Sequence, residues 1–256
     1  MMHIYRVTAY LCGLYLLIAT QIVCATNIII VVRGNANFAP KEMTINGELT
    51  GFHIELIRET AKILNMQVAF KSVSWSRALQ LVKDGDVDAI SYAAKSTERG
   101  KYLYYFEENV LSDDELCFMG LASNKSQFAA YDGTLESISH FKIGIVRNFT
   151  YGDKFDNNSS LNKQFAENRA QIHTRLFTKH IDLTVVERNV FSEVYGNLQP
   201  SLVILTPPFL KNKNYLAFSK AHDLEGKLAK RFAEAMTSFK RKPEYQKLLE
   251  KYDLNE

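Results

Sequence analysis

Buried strands and amphipathic helices alternate along the first half of the sequence. Apolar β-branched residues run without interruption from Ile28 to Val32, which predicts a strand covered on both faces. Between Phe52 and Leu64 the apolar positions recur at helical spacing among charged residues, which predicts an amphipathic helix. A strand over 68–73, a helix from Trp75 to about Lys83 and a buried strand over 87–93 follow. This order predicts a parallel sheet with helices on its faces.

The same alternation begins again in the second half of the chain. Lys142–Val146 and Leu183–Val186 predict buried strands, and a helix that ends near Gly196 follows the second of them. The C-terminal segment predicts two helices that are separated at Pro243. Two α/β units predict two lobes, and the first C-terminal helix carries an apolar stripe that should dock on the first lobe. The stripe consists of Leu224, Leu228, Phe232, Ala235 and Met236.

The first 25 residues differ in composition from the rest of the chain. Arg6 is their only formally charged side chain, and an interrupted apolar run follows from Val7 to Val23. Small residues end the segment, so we predict a signal peptide over residues 1–25 that is cleaved after Ala25. A transmembrane anchor is the alternative, which the shortness and interruptions of the apolar run disfavour. Lipidation at Cys24 is also disfavoured, because Val23 precedes it where a small residue is expected.

Composition excludes several classes of function. The chain has 256 residues, 46% of them hydrophobic, and a formal net charge of +3, which is too small to indicate a nucleic-acid partner. Cleavage would leave Cys117 as the only cysteine, so no internal disulfide is expected, and such an exported chain suits a bacterial periplasm. The six histidines show no metal-ligand spacing, and no phosphate loop or nucleophile arrangement is evident. We therefore predict no metal, no cofactor and no catalytic residue.

Five segments carry a resemblance to a known family. They are "GELTGFHIELIRETAKIL", "VSWSRALQLVKDGDVDAISYAAKSTER", "KIGIVRNFTYGD", "IDLTVVERNVF" and "FAEAMTSFKRKPEYQKLLEKY". In this order they resemble the first helix, the ligand loop, the second-lobe strands and the closing helices of periplasmic solute-binding proteins. The resemblance is to those that serve ABC importers of polar amino acids, bacterial extracellular solute-binding protein family 3. It extends over nearly the whole mature chain.

The resemblance implies the overall architecture. It implies an α/β protein with a two-lobed periplasmic-binding-protein-like (Venus flytrap) fold of type II, in which the ligand cleft lies between the lobes. Lobe 1 would contain residues 26–118 and 211–256, and lobe 2 would contain residues 119–210. Two strands would cross between the lobes, which would close over the ligand by a hinge motion. The expected form is a periplasmic monomer whose macromolecular partner is the membrane permease of an ABC importer.

The resemblance also assigns a carboxylate site. Arg99 matches the family's carboxylate-binding arginine, and a planar guanidinium can hold a carboxylate through two charge-assisted hydrogen bonds. Ser96 would add a donor, and Thr150 matches a hydroxyl that completes the site beside a helix N-terminus. The alternatives are an exposed turn arginine and an ordinary N-cap threonine. Ala94 departs from the pattern, because the family usually has a hydroxyl residue there.

The rest of the implied site binds an ammonium group and a side chain. Glu187 matches the family's aspartate that binds the α-ammonium, although a solvated glutamate at a helix start is the alternative. Phe38 and Trp75 match two aromatics that enclose the ligand side chain, with core packing as the alternative for Phe38. Phe149 stands where the family often has a small hydroxyl residue. The ligand pocket is therefore expected to differ from the common polar amino-acid sites.

Three functions remain open at this point. The favoured one is reversible capture of a small carboxylate-bearing ligand, preferably an amino acid, for delivery to an ABC importer. The second is an enzyme similar to cyclohexadienyl or arogenate dehydratase, in which Glu187 with a pKa raised by burial would act as general acid. The third is a sensor for a ligand other than an amino acid.

Overall fold

A ten-stranded mixed sheet organises the structure, which is a computed structural model that describes residues 27–254 except 36, 189–190 and 192–194. The predicted signal peptide and its cleavage after Ala25 lie outside the described residues, and so does most of the helix predicted to end near Gly196. Among the residues that are described, no helix is long and apolar enough to cross a membrane.

Twelve strands and six helices are named here in chain order. The strands are β1 Asn27–Gly34, β2 Met43–Ile45, β3 Glu48–Thr50, β4 Met66–Val73, β5 Ala89–Ala94, β6 Leu103–Tyr104, β7 Val110–Leu121, β8 Lys142–Val146, β9 Asn162–Ala166, β10 Leu183–Glu187, β11 Leu202–Ile204 and β12 Leu210–Ser219. The helices are α1 Phe52–Ile63, α2 Trp75–Asp84, α3 Asp153–Asp156, α4 Arg169–Phe177, α5 Lys227–Lys240 and α6 Pro243–Lys251.

The large sheet contains two parallel halves. Its strand order is β4-β1-β5-β12-β7-β10-β8-β9, with β6 beside β12 and β11 beside β7. Strand β1 pairs in parallel with β4 and β5, and β8 pairs in parallel with β9 and β10. The long strands β12 and β7 pair with each other in antiparallel fashion and join the halves. Because ligands bind beyond the carboxyl ends of parallel strands, each half contributes one wall of a cleft.

Local sequence signals account for several element boundaries. Asn46 and Gly47 have positive φ values of 52° and 83° and form the tight turn between β2 and β3, as an Asn-Gly pair favours. Ser74 is the N-cap of α2, although its side chain makes no capping hydrogen bond. Strand β8 has the predicted bounds. Strand β9 and helix α4 were not predicted.

The hydrophobic core is divided between two lobes. Clusters of buried side chains from β1, β5, α1, α2 and the C-terminal helices form one lobe, and clusters from β8, β10 and α4 form the other. Phe232 and Met236 of α5 pack in the first lobe against Ile29 and Leu56, which confirms the predicted docking. Leu224 is 80% exposed because it precedes the start of α5, so including it in the stripe was wrong. The lobe boundaries at 118/119 and 210/211 stay predictions.

A network of buried charges lies in the first lobe next to the strands that join the lobes. The Arg33 Nε lies 2.8 Å from the Glu42 Oε2, and both side chains are at most 2% exposed. Ser91 donates to the other oxygen of Glu42. Lys41 forms an equally buried ion pair with Asp114 of β7. The Asp114 carboxylate also accepts hydrogen bonds from Tyr92 and Asn214. Each of these buried charges therefore has a partner of opposite sign, as burial requires.

Candidate functional site

A cleft of about 380 Å³ lies where the carboxyl ends of the two parallel strand groups face each other. Six of the seven residues predicted for the site line this cleft, and the seventh, Ser96, does not. The six are Phe38, Trp75, Arg99, Phe149, Thr150 and Glu187. The first three belong to the first lobe and follow β1, β4 and β5, and the others follow or end strands β8 and β10. The topology therefore brings together residues that are distant in sequence.

Arg99 lies in a single 3₁₀ turn after β5 and is only 5% exposed. Its Nη1 donates to the Ala94 carbonyl oxygen at 2.8 Å, and its Nη2 donates to the Asn148 carbonyl oxygen of the second lobe at 3.0 Å. Burial lowers the pKa of the Arg99 guanidinium. Among the described residues, no carboxylate forms an ion pair with Arg99. A guanidinium carries five N–H donors, so these bonds leave donors for a ligand carboxylate.

Ser96 and Thr97 stabilise the turn that carries Arg99. The Ser96 Oγ accepts a hydrogen bond from the backbone N–H of Arg99 at 3.3 Å. The Thr97 Oγ1 donates to the Oδ2 of Asp153 in the second lobe at 2.5 Å. Ser96 thus holds the backbone in this conformation, and the structure does not bring its hydroxyl to the cleft surface.

The Thr150 hydroxyl is engaged inside the second lobe. It donates to Asp156 of α3, and the same carboxylate accepts the backbone N–H of Tyr151 at 3.1 Å. Burial raises the pKa of Asp156, against the opposing effect of these hydrogen bonds. Gly152, not Thr150, is the N-cap of the four-residue helix α3, so the alternative interpretation of Thr150 as an ordinary N-cap is wrong. Because its proton is committed to Asp156, Thr150 faces the cleft as a hydrogen-bond acceptor.

Glu187 is paired with a residue that sequence reasoning missed. The Nη2 of Arg169, the first residue of α4, lies 2.8 Å and 3.1 Å from the two carboxylate oxygens of Glu187. Burial raises the pKa of Glu187, but the charge and hydrogen bond of Arg169 outweigh it and the net shift is downward. The charge of Glu187 likewise outweighs burial and raises the pKa of Arg169. The alternative interpretation of Glu187 as a solvated glutamate is therefore wrong, because this carboxylate is 14% exposed and ion-paired.

The two predicted aromatics are covered by side chains of the protein itself. The Arg169 guanidinium carbon lies 4.6 Å from the centroid of the Phe38 ring. The Arg99 guanidinium carbon lies 5.3 Å from the Trp75 ring, and Phe149 meets the same ring edge-on at 5.9 Å. Both predicted rings thus line the cleft, each in contact with an arginine.

Asn148 connects the two lobes through contacts with residues that line the cleft. Its carbonyl oxygen accepts the indole N–H of Trp75 at 3.0 Å and also the Arg99 guanidinium. Its side-chain amide donates to the Oγ of Ser76 at 2.8 Å. Asn148 has a positive φ of 63°, a conformation that asparagine tolerates better than most residues. These contacts join the two lobes.

Arg169 and Asn148 share a signal that could have identified them. Both follow the carboxyl end of a parallel strand, β9 or β8, which is where ligand-binding residues of such sheets concentrate. The polar segment "NKQFA" obscured β9 because most of its side chains are at least partly exposed, so the hydrophobic signal is weak. Within the described ranges, no group of three or more His, Cys, Asp or Glu side chains is arranged to hold a metal ion.

Fold and cleft together define a two-lobed periplasmic binding protein. The chain belongs to the bacterial extracellular solute-binding proteins of family 3, whose model matches residues 30–255.

A probable histidine-binding protein of Neisseria gonorrhoeae is 24% identical over 228 residues, which cover 86% of this chain and 81% of that protein. Among solved structures, a histidine kinase sensor domain similar to periplasmic binding proteins superposes with a TM-score of 0.73 at 19% identity, covering 88% of this chain and 95% of that one. The ancestral amino acid-binding protein AncCDT-1, a precursor of cyclohexadienyl dehydratase, superposes with a TM-score of 0.69 at 20% identity and the same coverage. These structural likenesses show the fold.

Proposed function

We propose that the chain is an exported solute-binding protein that captures a small carboxylate-bearing ligand, preferably an amino acid, and delivers it to an ABC importer. The observation that carries this proposal is Arg99, a buried guanidinium at the cleft surface with no carboxylate partner among the described residues. Membership of the solute-binding family and the similarity to a probable histidine-binding protein support an amino acid as ligand.

The electrostatics of Arg99 favour an anionic ligand group. A buried cation without an ion-pair partner is costly; the backbone carbonyls of Ala94 and Asn148 compensate Arg99 through their dipoles, and the Asp156 carboxylate acts on it without forming an ion pair. A ligand carboxylate would supply the missing charge, and charge-assisted hydrogen bonds are about twice as strong as neutral ones. Asn148 accepts from Arg99 across the cleft, so ligand capture and contact between the lobes would involve the same guanidinium.

The geometry favours binding without chemical change of the ligand. A dehydratase role for Glu187 required a raised pKa, whereas the Arg169 partner gives a lowered one despite burial. An ionised carboxylate in an ion pair is a poor general acid at neutral pH.

The remaining parts of the proposal are cleavage after Ala25, a periplasmic location, a monomeric state and the membrane permease as partner. Their support is the N-terminal sequence and the family membership.

A thermal-shift assay on mature protein, unfolded and refolded to remove any bound ligand, tests the proposal. The ligand set contains the L-amino acids and small carboxylates. A ligand at a hundredfold excess over its Kd should add about 2.7 kcal/mol of stability, and for a chain of this size each kcal/mol raises Tm by about 2–4 °C. Arg99→Ala should abolish the shift, because it removes the clamp.

Arg77→Ala is the matched control, since Arg77 is exposed on the neighbouring helix α2 and does not line the cleft. It should retain the shift. The proposal is contradicted if no ligand of the set stabilises the wild type, or if Arg99→Ala binds the ligand as well as the control does.

A further inference from the structure

The cleft contains three acidic side chains, and each already has an arginine partner on this chain. Glu42 is paired with Arg33, with their closest side-chain atoms 2.8 Å apart. Glu167 is paired with Arg147 at 2.9 Å, and Glu187 is paired with Arg169 at 2.8 Å. A cationic group that entered the cleft would therefore meet no carboxylate among the described lining residues that is not already neutralised.

Arg169 also takes the second kind of contact that a cation would seek. Its guanidinium lies 4.6 Å from the centre of the Phe38 ring and 6.0 Å from that of the Phe149 ring. Both distances are within the range in which a cation is attracted by an aromatic face. Arg169 thus contacts both the Glu187 carboxylate and the face of the Phe38 ring on its side of the cleft.

The one charge on the described cleft lining that has no ion-pair partner is positive. The three ion pairs cancel, and Arg99 adds one charge without a carboxylate partner among the described residues. His173, which also lines the cleft, has a pKa lowered by burial and by the charge of Arg169, so it is neutral at pH 7. A ligand carboxylate would pair with Arg99, and a cationic side chain on that ligand would share the cleft with the charge of Arg169.

We propose that Arg169 is a specificity-determining residue that excludes ligands with a cationic side chain and restricts the cleft to carboxylates, amino acids included, whose side chain is neutral or acidic. The inference rests on the proposed function and names its ligand class. Like-charge juxtaposition is an effective way to reject a competing ligand, because the repulsion acts on that ligand alone. Arginine and lysine are thus poor ligands, and a neutral amino acid of similar shape is a better one.

Calorimetric titration of refolded wild type with two pairs of probes tests this inference. L-Arginine is compared with L-citrulline, which has nearly the same shape without the charge, and L-lysine is compared with L-glutamine; L-glutamate is the acidic probe. We expect the neutral or acidic probes to bind and each cationic probe to bind at least tenfold more weakly than its neutral counterpart. In Arg169→Ala, the affinity for L-arginine should rise at least tenfold, because Glu187 and the Phe38 ring become available.

Arg58→Ala is the matched control, because Arg58 also lies 5.5 Å from a phenylalanine ring, that of Phe70, and neither residue lines the cleft. It should keep the wild-type preference within about twofold. Arg169→Gln, which retains a hydrogen-bond donor toward Glu187, replaces the alanine variant if circular dichroism shows that the latter does not fold.

Three outcomes overturn the inference. If the wild type binds L-arginine or L-lysine as tightly as the neutral probes, Arg169 does not exclude cations, although carboxylate capture stands. The same conclusion follows if neither Arg169 variant changes the preference. If no carboxylate binds the wild type or the variants, the proposed function itself fails and this inference fails with it.

Discussion

Two arginine–glutamate pairs border the same cleft in very different surroundings. Arg33 and Glu42 lie in the first lobe with side chains 1% and 2% exposed, next to a second buried pair and within reach of two serine hydroxyls. Arg169 and Glu187 lie in the second lobe with side chains 25% and 14% exposed. The contacting atoms are 2.8 Å apart in both pairs, so distance alone does not distinguish them.

The comparison shows that the surroundings of an ion pair decide what its removal would do. In the first lobe both side chains are at most 2% exposed, so removing one of them takes away an ion pair that acts in a medium of low dielectric constant. In the second lobe, Arg169 retains access to the cleft and could be solvated or could meet a ligand. The first pair is therefore expected to act on stability, and the second on ligand preference.

The largest expected effect is on folding, from Glu42→Ala. Removing this carboxylate takes away the buried ion pair with Arg33, and breaking a buried pair in this way costs about 3–5 kcal/mol. The free energy of unfolding in urea should fall by that amount. Glu59→Ala is the control, since Glu59 forms an ion pair with Lys62 on the surface of α1. A loss below about 1 kcal/mol for Glu42→Ala would show that water reaches Arg33 after all.

The same truncation in the second lobe, Glu187→Ala, should lower the free energy of unfolding by a smaller amount. Arg169 is partly exposed, so we expect a loss of about 1.5–3 kcal/mol, typical of one hydrogen bond to a charged group. The free energy of unfolding in urea is measured for this variant and for Glu167→Ala. Glu167→Ala breaks the exposed pair with Arg147 and gives the baseline for a surface pair in this lobe. Equal losses for Glu42→Ala and Glu187→Ala would remove the distinction between the two pairs.

The difference between the pairs also explains which features of the fold and the site could be predicted from the sequence. Strand and helix periodicity predicted β1, β5, β8, α1 and the C-terminal helices, because each has a buried apolar face that the sequence shows directly. The resemblance supplied six residues that line the cleft, among them Arg99 and Glu187. These residues lie beside apolar strands, where a motif can be aligned with the element that carries it.

The pairing of charges could not be predicted from the sequence. Glu187 was expected to receive a ligand ammonium, but its partner Arg169 is 18 residues away along the chain, at the start of a helix that follows a mostly polar strand. Arg33 lies at the end of a strand that its apolar residues identify, yet nothing in the sequence shows that its side chain turns inward to Glu42. Long-range packing decides which arginine pairs with which glutamate. Local periodicity carries no information about that pairing.

The smallest expected effect concerns the pH dependence of stability in Glu187→Gln. The pKa of Glu187 is lowered in the folded state, because the charge and hydrogen bond of Arg169 outweigh burial. The unfolded chain, with an ordinary glutamate pKa of about 4.3, therefore binds this proton more readily than the folded chain does. The stability that Glu187 contributes is fully present at pH 7 and is lost as pH falls below that ordinary value toward the folded pKa.

Urea unfolding between pH 7 and pH 3.5 should show the wild type more stable than Glu187→Gln at neutral pH, with a difference that shrinks on acidification. The amide oxygen of the introduced glutamine can still accept a hydrogen bond from Arg169, so this difference should be smaller than for Glu187→Ala. A difference that stays constant over the whole range would mean that the carboxylate charge contributes nothing to the pair. The distinction from Arg33 and Glu42 would then rest on burial alone.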